Sequence, residues 1–158
     1  MKIAVAQISC ALGDPEANLS KVREFSRRAK DASAELIVFP EMTDTGYSMP
    51  VIQKHASHWK TGFVPGLHEI ARELSIAIVS GVSERAGSSI YNSQILADAK
   101  CDIVAKYRKA HLYAVEPVEE HTCFAQGDAF ASCELGGLQL GFSIWYDLIS
   151  GDVPKAGH

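Results

Sequence analysis

Short apolar runs alternate with helical patterns along the first half of the chain, and this alternation constrains the fold more than any other feature. Ile3 to Ile8 is an apolar run of strand length. Asp14-Pro15 follows, an N-cap and first-turn pair. Leu19, Val22, Phe25 and Ala29 then recur at helical spacing among Lys21, Arg23, Glu24, Arg27 and Arg28, which predicts an amphipathic helix of about four to five turns. Leu36 to Phe39 reads as a second buried strand, stopped by Pro40. Gly66 to Leu74 reads as a helix entered through Val64-Pro65-Gly66, and Ile76 to Val79 as a third strand ending at Ser80-Gly81. Two hairpins are expected next. Tyr91 to Ala97 and Asp102 to Tyr107 flank Asp98-Ala99-Lys100-Cys101, and Ala129 to Leu135 and Leu138 to Trp145 flank Gly136-Gly137. In the last of these strands Leu138, Leu140, Phe142 and Ile144 share one face, and Gln139, Gly141, Ser143 and Trp145 the other. The order predicts an α/β layered domain with a mixed sheet.

Composition narrows the partners. The 158 residues are 47% hydrophobic and 22% charged, which suits one soluble domain with a core of its own. Lys and Arg number 15 against 19 Asp and Glu, giving a net charge of −4 with the cations scattered, so a nucleic-acid footprint is not expected. No apolar run approaches the ~20 residues that span a bilayer. The opening Met1-Lys2-Ile3 stretch is too short for a signal peptide, so the expected location is cytoplasmic. Cys10, Cys101, Cys123 and Cys133 form no C-x-x-C pair, so reduced, buried thiols are expected in place of zinc ligands or a disulfide framework.

Ionisable residues fall just past the strand ends, where open α/β sheets build their sites. Taken singly, Glu41 and Lys109 would more often be solvated loop residues. Their surroundings change that reading. Phe39-Pro40-Glu41-Met42 followed by Thr45-Gly46-Tyr47 resembles the first catalytic motif of the carbon–nitrogen hydrolase (nitrilase/amidase) superfamily. Tyr107-Arg108-Lys109-Ala110-His111-Leu112 resembles the second. Glu120 with Phe124 and Gly127 resembles the segment that carries a second buried glutamate. Gly141 to Leu148 resembles the third motif, with Trp145 at the position of the nucleophilic cysteine. Four motifs in the family's order extend the resemblance over residues 1–148.

The resemblance implies part of a four-layer α-β-β-α sandwich that hydrolyses small amides, nitriles or carbamoyl compounds. In that scheme a cysteine thiolate attacks the carbon, Glu41 is the general base, Lys109 stabilises the oxyanion, and Glu120 orients Lys109 or helps move protons. These packed groups are expected to have shifted, coupled pKa values. No metal or organic cofactor is implied. Trp145 breaks the scheme, because an indole has no thiol and offers a single N–H donor. It is also expected to occupy the substrate's space. Cys123 is read as a packed thiol and not a substitute nucleophile. His111 is expected to fix the loop, and Tyr47 and Tyr113 to pack.

A second departure follows the first. Residues 149–158 do not continue the family's pattern, and the chain is shorter than the family's domain, so a truncated domain with a frayed tail is expected. Without an opposing sheet, the face formed by Leu138, Leu140, Phe142 and Ile144 with Leu36, Val38, Ile76 and Ile78 would lose cover. At ~25 cal/mol per Å2 that forfeits on the order of 10 kcal/mol. A homo-oligomer or an aggregation-prone chain is the expected consequence. Three functional readings follow. One is a damaged amide hydrolase. The second is a non-catalytic relative that binds a small amide or carboxylate, or a partner subunit. The third is a live enzyme with another nucleophile.

Overall fold

The computed structural model describes residues 1–100 and 103–149. Strands β1 (Ile3–Val5), β2 (Leu36–Val38), β3 (Ala77–Ala86), β4 (Ser89–Ala97) and β5 (Ala105–Arg108) form one sheet in that spatial order. The pairs β1–β2 and β2–β3 are parallel, and β3–β4 and β4–β5 antiparallel, so the sheet is mixed as expected.

Right-handed crossovers between parallel strands laid down in one direction put every connecting helix on the same face. Helices α1 (Pro15–Asp31) and α3 (Phe63–Leu74) accordingly pack there, with Val22, Leu67 and Ile70 against Ile37, Ile78 and Ile95. Asp14 caps α1 as the sequence indicated, its carboxylate accepting from Ala17 N at 3.0 Å. α3 begins earlier than expected, at Phe63, because Pro65 is tolerated in the first helical turn, where its missing N–H has no partner to lose. A short α2 (Met49–His55), with Pro50 in its first turn, was not anticipated.

The opposite face carries Leu36, Ala77, Val79, Leu96, Ala105 and Tyr107. It is covered by a hairpin of β6 (Ser132–Leu135) and β7 (Leu138–Gly141) and by the segment after it. Helices, sheet and second sheet thus form successive layers.

Three expectations need correction. The third strand does not stop at Ser80-Gly81; it runs to Ala86 and turns through Gly87, whose φ of +62° suits a tight hairpin. The apolar face is not left bare. Ile76 and Ile78 point to the helices, while Phe142 (8% exposed) and Ile144 (3%) close over Leu36, leaving Leu138 exposed. The hairpin strands are shorter than expected, and β7 ends at Gly141, so Trp145 is not a strand residue. It opens a short 3-10 turn, Trp145–Leu148. The predicted turn at Cys101 and the start of the next strand at Asp102 lie outside the described residues, as does the tail from 150 onward.

Candidate active site

The loop after β2 carries Glu41, and backbone bonding ties it to β3. Phe39 N donates to Val79 O at 2.8 Å, Gly81 N to Pro40 O at 3.1 Å and Thr43 N to Gly81 O at 3.0 Å. Gly81 permits this. A Cβ there would stand 2.5 Å from Glu41 Cα and 2.7 Å from Pro40 O, so the residue first taken for a strand stop is a close-approach glycine. Asp44 anchors the far side of the loop, accepting from Ser83 N at 2.9 Å and Ser83 Oγ at 2.6 Å.

Lys109 follows β5. Its N donates to Asn92 O, and its carbonyl accepts from Gly127 N, each at 2.8 Å. The side chain is fully buried and donates from Nζ to Glu120 Oε1 at 3.0 Å. Glu120 is equally buried. Its Oε1 also accepts from Tyr47 OH and from Asn92 Nδ2 at 3.3 Å, and its Oε2 from Tyr113 N at 2.7 Å. Glu41 Oε1 lies 3.9 Å from Lys109 Nζ, and Oε2 lies 3.5 Å from Asn92 Nδ2. The three charged residues singled out in the sequence therefore converge.

Their satisfaction is uneven. Glu41 Oε1 is buried, yet no hydrogen bond reaches it from the described residues. Burial pushes the Glu41 pKa up; Lys109 opposes this, and the neighbouring Glu120 adds to it, leaving the carboxyl above its ordinary range. Burial and the bond to Glu120 likewise push the Tyr47 hydroxyl up.

Trp145 reaches the same place from the other sheet. Its φ is +31°, a left-handed turn costly for a bulky residue. Asp147 holds that turn, accepting from Ile144 N at 2.9 Å, Tyr107 OH at 2.8 Å and His111 N at 2.9 Å, with His111 Nδ1 3.1 Å away. His111 thus serves the loop, as expected. The Lys109 ammonium stands 5.8 Å from the centre of the indole. Glu41, Tyr47, Tyr113, Val118 and Trp145 line an open cavity of about 450 Å3. Trp145 walls this space and does not fill it, contrary to expectation; the side chain remains 57% exposed.

Sequence reasoning missed Asn92 and Asp147 as parts of the site, and favoured packing over pocket lining for Tyr47. An asparagine inside the apolar strand Ile90 to Ala97 was the available signal for the first. For Asp147 it was an acid two residues after the nucleophile position. Cys123 does not join the cluster. Its thiol faces Met49 O at 3.9 Å, and burial raises its pKa. Among the described residues no group of three or more His, Cys, Asp or Glu side chains could hold a metal. No described helix is long and apolar enough to cross a membrane.

Residues 2–156 match the carbon-nitrogen hydrolase family. The chain belongs to that family. It is 31% identical over 155 residues to a nitrilase of Pyrococcus abyssi, an alignment covering 93% of this chain and 56% of that protein. It is 30% identical over 147 residues to the 2-oxoglutaramate amidase of Bacillus subtilis, covering 92% of this chain and 56% of that one. Its fold is similar to a mutant amidase from Nesterenkonia sp. AN1 that shows the Michael addition of acrylamide at the active-site cysteine. There the TM-score is 0.85 and the identity 28%, with 94% of this chain and 58% of that chain covered. The chain thus spans a little over half the length of these relatives. The carbon–nitrogen hydrolase family places the five-stranded mixed sheet and its flanking helices in the nitrilase-type α/β fold.

Proposed function

We propose that this carbon–nitrogen hydrolase-family chain holds a small amide at the cavity walled by Glu41, Tyr47, Tyr113 and Trp145 without hydrolysing it. The observation that carries the reading is Trp145 on the turn beside Glu41 and Lys109, where covalent amide hydrolysis needs a thiolate. Glu41, partly exposed on the cavity wall, can accept an amide N–H. Lys109 lies buried behind that wall, 3.9 Å from Glu41, and is held by Glu120, whose Oε1 also accepts from Tyr47 and Asn92. In a hydrolytic site Glu41 would next take the nucleophile's proton, and Lys109 would meet the developing oxyanion. The indole ring carbon–nitrogen framework has no such proton and electron pair to offer, so the sequence of steps ends at binding. The amidases among the relatives support an amide as ligand, and the active-site cysteine of the Nesterenkonia enzyme supports the role the turn has lost.

The test compares the unaltered chain with Trp145→Cys. The unaltered chain is expected to release no ammonia from butyramide. Trp145→Cys is expected to gain ammonia release, together with one additional acrylamide adduct by intact mass. Ammonia release by the unaltered chain that Glu41→Gln abolishes would overturn the reading.

A further inference from the structure

The walls of the cavity are chemically lopsided. Three of its five lining residues are aromatic, Tyr47, Tyr113 and Trp145, and the only charged one is Glu41. The rings are held at angles to one another. Tyr113 and Trp145 have centroids 5.5 Å apart at 58°, and Tyr146 meets Tyr113 edge-on at 5.4 Å and 82°. Tyr47 is fixed from behind, because its hydroxyl is committed to Glu120. Faces of this kind attract cations through the ring quadrupole, most strongly for tryptophan and within about 6 Å of the centroid. Lys109 already exploits the indole at 5.8 Å.

Charge points the same way. Glu41, Glu120 and Asp147 face each other across the site, with Lys109 as the ammonium among them. Lys109 is engaged by Glu120, whereas Glu41 Oε1 is buried with no hydrogen bond from the described residues. A carboxylate-bearing ligand would meet Glu41 at the wall and two more carboxylates behind it. A neutral apolar ligand would leave Glu41 desolvated with only the 3.9 Å contact to Lys109 to offset it. A compact organic cation would pair with Glu41 and stack against the rings.

We infer that the cavity bounded by Glu41, Tyr47, Tyr113 and Trp145 binds an alkylammonium group. The inference rests on the non-hydrolytic reading and adds to the amide of that reading a cationic head group that the rings would hold. Trp145 is then the residue that converts the position: it removes the nucleophile and supplies the strongest cation-binding ring. About 450 Å3 accommodates a trimethylammonium head with a short tail.

The experiment titrates the full chain calorimetrically with choline, with its uncharged isostere 3,3-dimethylbutan-1-ol, and with butyramide. Choline is expected to bind at least tenfold more tightly than the isostere. Trp145→Leu and the isosteric Glu41→Gln are each expected to weaken choline at least tenfold; Trp145 is exposed, and both variants are checked for a cooperative unfolding transition no lower than that of the unaltered chain. Equal binding of choline and isostere, no binding of choline, or choline binding that survives both substitutions would overturn the inference. Butyramide separates it from the underlying reading. Bound butyramide with no choline binding removes the cation and leaves an amide pocket. Hydrolysed butyramide removes the non-hydrolytic reading, while the choline-to-isostere ratio still decides the ligand class.

Discussion

Two glutamates, one buried on a face of the sheet and one partly exposed in the loop after β2, have opposite fates. Glu84, in β3, lies at the end of the helix-covered face with no side-chain exposure. Arg108 grips it with two parallel bonds of 2.8 and 2.6 Å; Lys106 adds one at 3.0 Å, Ser93 Oγ one at 2.8 Å, and the Trp59 indole N–H another. Burial alone would raise its pKa, but the bonds from Arg108, Lys106 and Ser93 outweigh burial and hold it below the ordinary carboxylate range. Glu41 has a long contact from Asn92, a 3.9 Å ion pair with Lys109, no hydrogen bond to Oε1 from the described residues, and a raised pKa. The difference teaches how one residue type is divided between structure and chemistry. A carboxylate whose lone pairs are filled by the protein stabilises the fold, and one left short is available to a ligand.

The sharpest way to break this comparison is Glu84→Gln. It strands Arg108 and Lys106 beside a neutral amide, and removing one partner of a buried ion pair costs about 3 kcal/mol, the lower end being taken because both cations keep part of their hydration. Urea unfolding should show that loss, while choline affinity stays within twofold. A loss below about 1 kcal/mol would show that Glu84 is not the fold's anchor.

Gly81→Ala should come next in size and strike only the other glutamate. The new methyl would meet the Glu41 backbone at 2.5 Å and push the loop off β3, with overpacking costs of about 1–3 kcal/mol. Choline binding should fall at least tenfold, and the Arg108–Glu84 pairing should be untouched. Unchanged binding would mean that the seating of Glu41 on β3 does not matter to the site.

Much of this was legible in the sequence, and the exceptions share a cause. The βαβ order and the Asp14 cap follow from local patterns, periodicity and capping chemistry, whereas the grouping of Glu41, Lys109 and Glu120 came from the resemblance of their motifs to the family's. Gly81 was misread because a glycine in an apolar run signals a stop or a close approach equally well, and only the position of Pro40 and Glu41 decides. Trp145 was placed in a strand because apolar alternation continues past Gly141, although the backbone turns at φ +31° once Asp147 captures Ile144 N. Asn92 and Asp147 escaped because their roles lie in partners 28 and 36 residues distant in sequence, which no local pattern encodes.

Glu41→Gln should have the smallest effect on stability, and its sign is opposite to that of Glu84→Gln. A carboxyl whose folded-state pKa is raised holds its proton more tightly in the folded chain than in the unfolded one. Its contribution is most favourable at low pH and declines as pH rises from the unfolded value through the folded one. At neutral pH the charge is therefore a burden, and the uncharged amide should leave the chain between unchanged and about 1 kcal/mol more stable. Glu84 behaves in reverse: its depressed pKa gives stability that is complete above the unfolded value and lost as pH falls through the folded one. Urea midpoints between pH 7 and 3 separate the two. Relative to the unaltered chain, Glu41→Gln should gain most at pH 7 and lose that advantage on acidification, whereas the deficit of Glu84→Gln should be largest at pH 7 and shrink only below the ordinary carboxylate range. If Glu41→Gln is the less stable chain at pH 7, then Glu41 is satisfied after all, and the division between the two glutamates fails at its weaker side.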